Sequence, residues 1–248
     1  MAINTEKNSY TVIFAIVMVM VVGSILAGLA QGLKPKVKAN ERFEKQQNIL
    51  YALGVNNNEG ANDVEFISTD VVEEEFNKYI KKQYVLQDGK LTENDQAYLI
   101  DIKKEETKAK DPNYSRKLPI FVGEKDGQEV YVVPVRGKGL WDAIWGFVAM
   151  DKTMTVTGVY FDHKGETPGL GAEIKQRYFM DDFTGEKFIT GGAFQGIKVA
   201  KGNNDPKNEI KDDHEVDALA GATITGDGVS AMLKKDVRMY MPYFETLN

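Results

Sequence analysis

Two threonines in a run of small residues, Ala220-Gly221-Ala222-Thr223-Ile224-Thr225-Gly226, place hydroxyl groups just ahead of an amphipathic stretch. Val229, Met232, Leu233, Val237 and Tyr240 recur at the period of one helix face. Thr223 and Thr225 therefore stand at or just before a helix N-terminus. Free backbone N–H groups and the helix dipole favour an anion such as phosphate there. The same pattern also describes a plain N-cap after a glycine-rich turn, and the spacing alone does not separate the two.

Other residues could serve the same site. Gly137-Lys138-Gly139-Leu140-Trp141 reads as a connection between strands, with Leu140 and Trp141 either core residues or an apolar wall for a planar ligand. Gly165-Glu166-Thr167-Pro168-Gly169-Leu170-Gly171 is a loop whose glycines allow a close backbone approach. It lacks the Gly-Lys-Ser/Thr of a Walker loop and the glycine spacing of a dinucleotide fingerprint. Gly191-Gly192-Ala193 reads as a turn, and Lys198 as a surface group or a charge partner for phosphate. The acidic run around Asp212, Asp213 and Glu215 lacks the oxygen spacing of an EF-hand.

Composition removes several chemistries. The 248 residues include no cysteine, so disulfides, thiolate metal sites and cysteine-ligated clusters are excluded. His163 and His214 are the only imidazoles. The net charge of −6, without a basic stripe, argues against nucleic-acid binding.

The elements that must position these residues are legible in outline. Residues 10–30 carry no charge and are long enough to span a bilayer as one helix within an N-terminal segment 1–33. Residues 34–117 read as a helical and charged connecting region. In it, Val37 to Leu53 reads as a separate helix after Pro35, ending at Gly54. Asp70 and Glu73 have capping-box spacing before Val72 and Phe76. Gln87 to Lys117 read as a solvated, loosely ordered excursion. Residues 118–248 form the ligand-binding domain. Pro119–Gly123 and Glu129–Val135 flank the hairpin signal Asp126-Gly127, and a second strand pair crosses Asp151-Lys152. The expected class is α+β, a membrane helix followed by a twisted antiparallel sheet flanked by helices.

Asp217 followed by Ala220-Gly221-Ala222-Thr223 resembles a covalent flavinylation signature, with Ala220 where Ser or Thr is usual. The order of Leu140-Trp141, Glu166-Thr167-Pro168-Gly169-Leu170-Gly171, Gly191-Gly192-Ala193 and Gly221-Ala222-Thr223 resembles the C-subunit family of sodium-translocating NADH:quinone oxidoreductases. The resemblance implies FMN joined through its phosphate to Thr223 by a flavin transferase, in a protein that relays single electrons. It implies that Leu140, Trp141, Glu166, Thr167, Gly169, Leu170, Lys198, Gly221, Ala222 and Thr225 surround the cofactor, with Asp217 as a signature residue and no metal. It further implies the A, B, D, E and F subunits as partners, a single pass through the inner membrane and a periplasmic C-terminal domain.

Charge argues against that orientation, because Lys34, Lys36 and Lys38 follow the span and only Lys7 precedes it. Three other readings stay open. They are a G subunit of the related Rnf complex, which shares the FMN domain, an anchored scaffold without cofactor, and an anchored hydrolase with a Ser or Thr nucleophile.

Overall fold

The computed structural model describes residues 7–247, apart from 62, 203, 204, 206 and 207. Two units are distinct, 1–42 and 43–248. The first consists of the leading part of helix α1 (Asn8–Leu53), which is long and apolar enough to cross a membrane. Its Val, Ile, Leu and Met side chains are exposed. Pro35 lies inside this helix and does not end it, contrary to the expected break. A proline costs one intrahelical hydrogen bond, and here the turns on both sides continue the ladder.

The second unit begins with the last turns of α1, where Ile49, Leu50, Ala52 and Leu53 are buried. The helix stops at Gly54, which adopts φ +84°. Gly54 N–H bonds Tyr51 C=O at 2.9 Å and Val55 N–H bonds Leu50 C=O at 2.8 Å, a Schellman closure. Helix α2 (Val72–Tyr79) buries Val72 and Phe76. Its N-cap is Val71, with no side-chain cap bond, so the capping box expected at Asp70 does not form.

The sheet is open, antiparallel and six-stranded. It comprises β1 (Ile80–Gln87), β2 (Lys90–Glu93), β3 (Leu118–Lys125), β4 (Gln128–Lys138), β5 (Ala143–Met150) and β6 (Val156–His163), in the order β2-β1-β3-β4-β5-β6. The α+β class holds, but two strands come from residues ahead of 118. The Asp126-Gly127 turn has positive φ at both residues, as a two-residue hairpin requires. The β5–β6 turn is longer than expected, running through Met154 at φ +60°.

The charged stretch 87–117 is ordered rather than loose. Strand β2, a 3₁₀ turn at Ala97–Leu99 and helix α3 (Ile102–Lys108) occupy it. Glu105 is buried because its carboxylate is used. It accepts from the Tyr114 hydroxyl at 2.6 Å and Lys117 N–H at 3.0 Å, and pairs with Lys108 at 2.9 Å.

Beyond the sheet lie a 3₁₀ turn (Gly171–Lys175), α4 (Arg177–Asp181), the short hairpin β7 (Ile189–Thr190) with β8 (Ala193–Phe194), and a parallel pair, β9 (Lys198–Ala200) and β10 (Glu215–Asp217). The chain closes with α5 (Thr223–Arg238) and α6 (Met241–Phe244). Register places Gly137 on the sheet face of Val133 and Val135, and Gly123 and Gly158 on the other. Helix α5 covers the first face and the end of α1 the second. A Cβ on Gly228 would stand 2.3 Å from Lys138 C=O, and one on Gly158 2.4 Å from Ala52 C=O. Backbone meets backbone at both contacts, which only glycine permits.

Candidate functional site

The helix face read from the sequence is the face that packs. Val229, Met232, Leu233 and Val237 of α5 are buried, as is Tyr240 beyond its end. That packing sets where the helix begins. Thr223 is its first residue, and Ala222 offers no side-chain cap. Gly226 N–H to Ala222 C=O, 2.9 Å, is the first helical bond. The N–H groups of Thr223, Ile224 and Thr225 precede it and are available to an anion.

A cleft of about 230 Å³ opens at this helix end, lined by Leu140, Glu166, Thr167, Leu170, Gly171 and the run Gly221–Thr225. The β4–β5 connection and the loop after β6 thus meet the start of α5. Glu166 joins all three. Its carboxylate accepts from Trp141 N–H at 2.9 Å, Leu140 N–H at 3.3 Å, Asp142 N–H at 3.4 Å and the Thr225 hydroxyl at 2.6 Å. Burial alone would raise its pKa. The Thr225 hydroxyl and the N–H groups of Trp141, Asp142 and Leu140 outweigh that, holding the carboxyl below the usual carboxylate range. Glu166 therefore stays ionised at neutral pH.

The loop is braced from other directions. Trp141 Nε1–H donates to Thr167 Oγ1 at 3.1 Å, and Gly169 N–H donates to Glu173 at 2.9 Å. Lys164 pairs with Asp142 at 2.8 Å. His163 Nδ1 accepts the Glu166 N–H at 3.2 Å. The sequence assigns His163 no role, because two histidines are too few for most metal or haem sites and fix no Ser–His–acid arrangement.

Large apolar side chains remain exposed around the opening. Leu140 is 44% exposed, Trp141 66%, Leu170 41% and Ile224 57%. Outside the membrane-type helix, comparable exposure among the described residues is found at Val71, Leu91, Leu99, Tyr178 and Ile210. The donor set and this rim fit FMN: the first-turn N–H groups and the Thr223 hydroxyl would meet its phosphate, and the apolar surfaces would suit its planar ring.

The remaining expected residues lie apart. Lys198, on β9, pairs with Glu215 at 3.0 Å and does not line the cleft. Asp217 ends β10, paired in register with Ala200, and is also outside the lining. Gly169, at φ +74°, shapes the loop without lining the cleft, and Trp141 also lies outside the lining, beside it through its bond to Thr167. Among the described residues no cluster of His, Asp or Glu suits a metal.

Comparison with known proteins gives a consistent result. The FMN-binding domain family matches residues 139–237, which contain the whole cleft. The C subunit of the Na(+)-translocating NADH-quinone reductase of Pseudomonas aeruginosa is 32% identical, over 93% of this chain and 91% of its own. That of Vibrio anguillarum is 30% identical, over 92% and 90%. The crystal structure of the Parabacteroides distasonis counterpart superposes with a TM-score of 0.73 at 32% identity, covering 87% of this chain and 98% of that one. The chain thus belongs to the family of C subunits of Na(+)-translocating NADH-quinone reductases.

Proposed function

We propose that this chain is the FMN-carrying electron relay of a sodium-translocating NADH:quinone reductase, with FMN joined by a phosphoester to Thr223. The observation that carries the reading is the placing of the Thr223 hydroxyl at the α5 N-terminus, inside a cleft lined by exposed Leu140, Leu170 and Ile224, with exposed Trp141 beside it. Bound FMN would supply reversible one-electron chemistry at its ring. The first-turn N–H groups of α5 would hold the phosphate, and Leu140, Trp141 and Leu170 would shield ring surface from water.

Charge supports a covalent link. Among the described residues no Lys or Arg lines the cleft, and ionised Glu166 stands at its back. A free flavin phosphate is close to doubly ionised at neutral pH, whereas a phosphodiester carries one charge. Esterification at Thr223 halves the charge that the helix end must accommodate.

The single apolar helix serves as the anchor in this reading, with the A, B, D, E and F subunits as partners in the inner membrane. The domain from 118 onward holds the cofactor and faces the periplasm, where a flavin transferase acts. Alkaline phosphatase and green fluorescent protein fused at Asn248 test the orientation. An active phosphatase with a dark fluorescent fusion is expected; the reverse would place the domain in the cytoplasm.

The linkage is tested by expressing the chain with a flavin transferase and locating the added mass by peptide mass spectrometry. Flavin fluorescence surviving a denaturing gel, with the mass on Thr223, is expected. Mass on another residue, or none, rejects the assignment.

A further inference from the structure

Thr223 and Thr225 sit two positions apart in the first turn of one helix, yet their hydroxyls have different fates. Thr223 is half-buried and lines the cleft. Thr225 is 1% exposed and gives its hydrogen to Glu166 at 2.6 Å. The Glu166 carboxylate is used entirely within the protein, by one hydroxyl and three backbone N–H groups. It is also tightly enclosed. A Cβ on Gly139 would stand 2.6 Å from Glu166 Oε1. One on Gly171 would stand 2.6 Å from Oε2 and 2.5 Å from Thr225 Oγ1. The cleft wall has closed around this contact and leaves no room for even a methyl group.

From this the geometry points to Glu166 as a positioning residue for flavin attachment, through Thr225. Resting on the Thr223 linkage proposed above, the inference has two parts. Glu166 pins the first turn of α5 to the Leu140–Asp142 connection, which fixes the Thr223 hydroxyl relative to the apolar rim. By occupying and burying the Thr225 hydroxyl, it also keeps that group, two positions from Thr223, from competing as acceptor.

The reaction affected is a phosphoryl-group transfer. A bond forms between Thr223 Oγ and the flavin phosphorus, and the phosphoanhydride bond of an activated flavin nucleotide breaks. The hydroxyl proton is released, a nucleotide phosphate departs, and no electrons change hands. A transfer of this kind depends on where the attacking oxygen is held. Glu166 touches neither that oxygen nor the leaving group in this arrangement; it acts through the backbone and through Thr225.

The test follows covalent flavin loading of the full chain in detergent, using purified transferase and FAD, with the labelled residue identified by mass spectrometry. The unmodified chain should load on Thr223 alone. Glu166→Gln, folded by circular dichroism and assayed below its melting temperature, should load ~10- to 100-fold more slowly. Thr225→Val should slow loading in the same way, whereas Thr225→Ser, which restores the hydroxyl, should recover the wild-type rate. A purely packing role for Thr225 would not distinguish Val from Ser in that direction, because Val is the closer match in shape. Should Glu166→Gln fail to fold, the Val and Ser pair carries the test by itself. In Thr223→Ala, no label should move to Thr225.

Wild-type loading rates in both Glu166→Gln and Thr225→Val would overturn the inference while leaving the Thr223 linkage standing, as would label on Thr225 in Thr223→Ala. An unlabelled wild-type chain would overturn the linkage itself and this inference with it.

Discussion

Arg116 meets Asp236 across 120 positions of sequence, Nη1 to Oδ1 at 3.1 Å, with the Asp236 side chain wholly buried. The other carboxylate oxygen of Asp236 accepts Arg136 N–H at 2.7 Å. One aspartate on α5 thus ties the helix to β4 and to the segment following α3. Glu106 extends the cluster, pairing with Arg136 at 3.3 Å and Lys235 at 2.9 Å.

Removing one member of a buried pair leaves the other charge uncompensated, which costs more than the pair itself contributes. Asp236→Ala should therefore lower unfolding free energy by about 3–5 kcal/mol in urea titrations. Lys235→Ala, at a side chain 54% exposed, should lower it by no more than about 1 kcal/mol. Equal effects would show that the cluster behaves as a surface network.

A second buried carboxylate is held differently. Glu186 is fully buried, and among the described residues neither oxygen has a hydrogen-bond partner. Lys211 Nζ lies 3.7 Å away. Burial, only partly offset by Lys211 and Asn208 and reinforced by Asp213, pushes its pKa up to about 7. The unfolded chain ionises this group near its ordinary value of 4.5. Between these values the folded state binds more protons than the unfolded one, so stability falls as pH rises through the window. Glu186→Gln should flatten this decline. The variant should melt higher than wild type at pH 8, with the gain vanishing at pH 4. A gain of the same size at both values would contradict the assignment.

Gly228 tests the seating of α5. Alanine in a helix interior ordinarily gains about 1 kcal/mol over glycine. At Gly228 the added methyl would reach 2.3 Å from Lys138 C=O. Gly228→Ala should destabilise by about 1–3 kcal/mol despite the helical gain. Gly28→Ala, where nothing lies within 4 Å, should not destabilise the unit from Phe43 onward. Paired thermal melts separate the two cases.

Thr223→Ala should abolish gel-stable flavin while changing stability by under about 0.5 kcal/mol, because Thr223 is half-buried at a helix end with no cap bond to lose. A chain lacking residues 1–33 should be soluble, since the compact unit from Phe43 is retained. A chain starting at Gly54 should not be, because Ile49, Leu50, Ala52 and Leu53 belong to the core. Insolubility of the first in several hosts would contradict the single-anchor reading.

Local signals survived translation into structure where local physics decided. Asp126-Gly127 specified its hairpin because both positions need positive φ, and α5 showed its buried face through the helical period. Strand β1 escaped notice because Ile80-Lys81-Lys82-Gln83-Tyr84 mixes charged and apolar residues without alternation; it is buried at Ile80, Gln83, Val85 and Leu86. Pro35 misled because a rule about cost was read as a rule about ending. The cleft was legible as residue types near Thr223 and in two glycine-containing loops. The Glu166–Thr225 bond was not, since it joins positions 59 apart. The sequence leaves Lys198 open as a surface group or a phosphate partner; in the structure it lies on β9 and pairs with Glu215 on the adjacent strand.

The buried end of α1 also sets a problem of timing. Residues 49–53 are made early, but the strands that cover them, β3 and β6, are not complete until His163 has been added. At roughly 5–20 residues per second, the ~110 residues in between take about 5–20 s to synthesise. Until β6 has been added, Ile49, Leu50 and Leu53 have at most the β3 part of the sheet to rest against. The nascent chain must carry a partly uncovered apolar turn close behind its membrane-type segment until the sheet is complete.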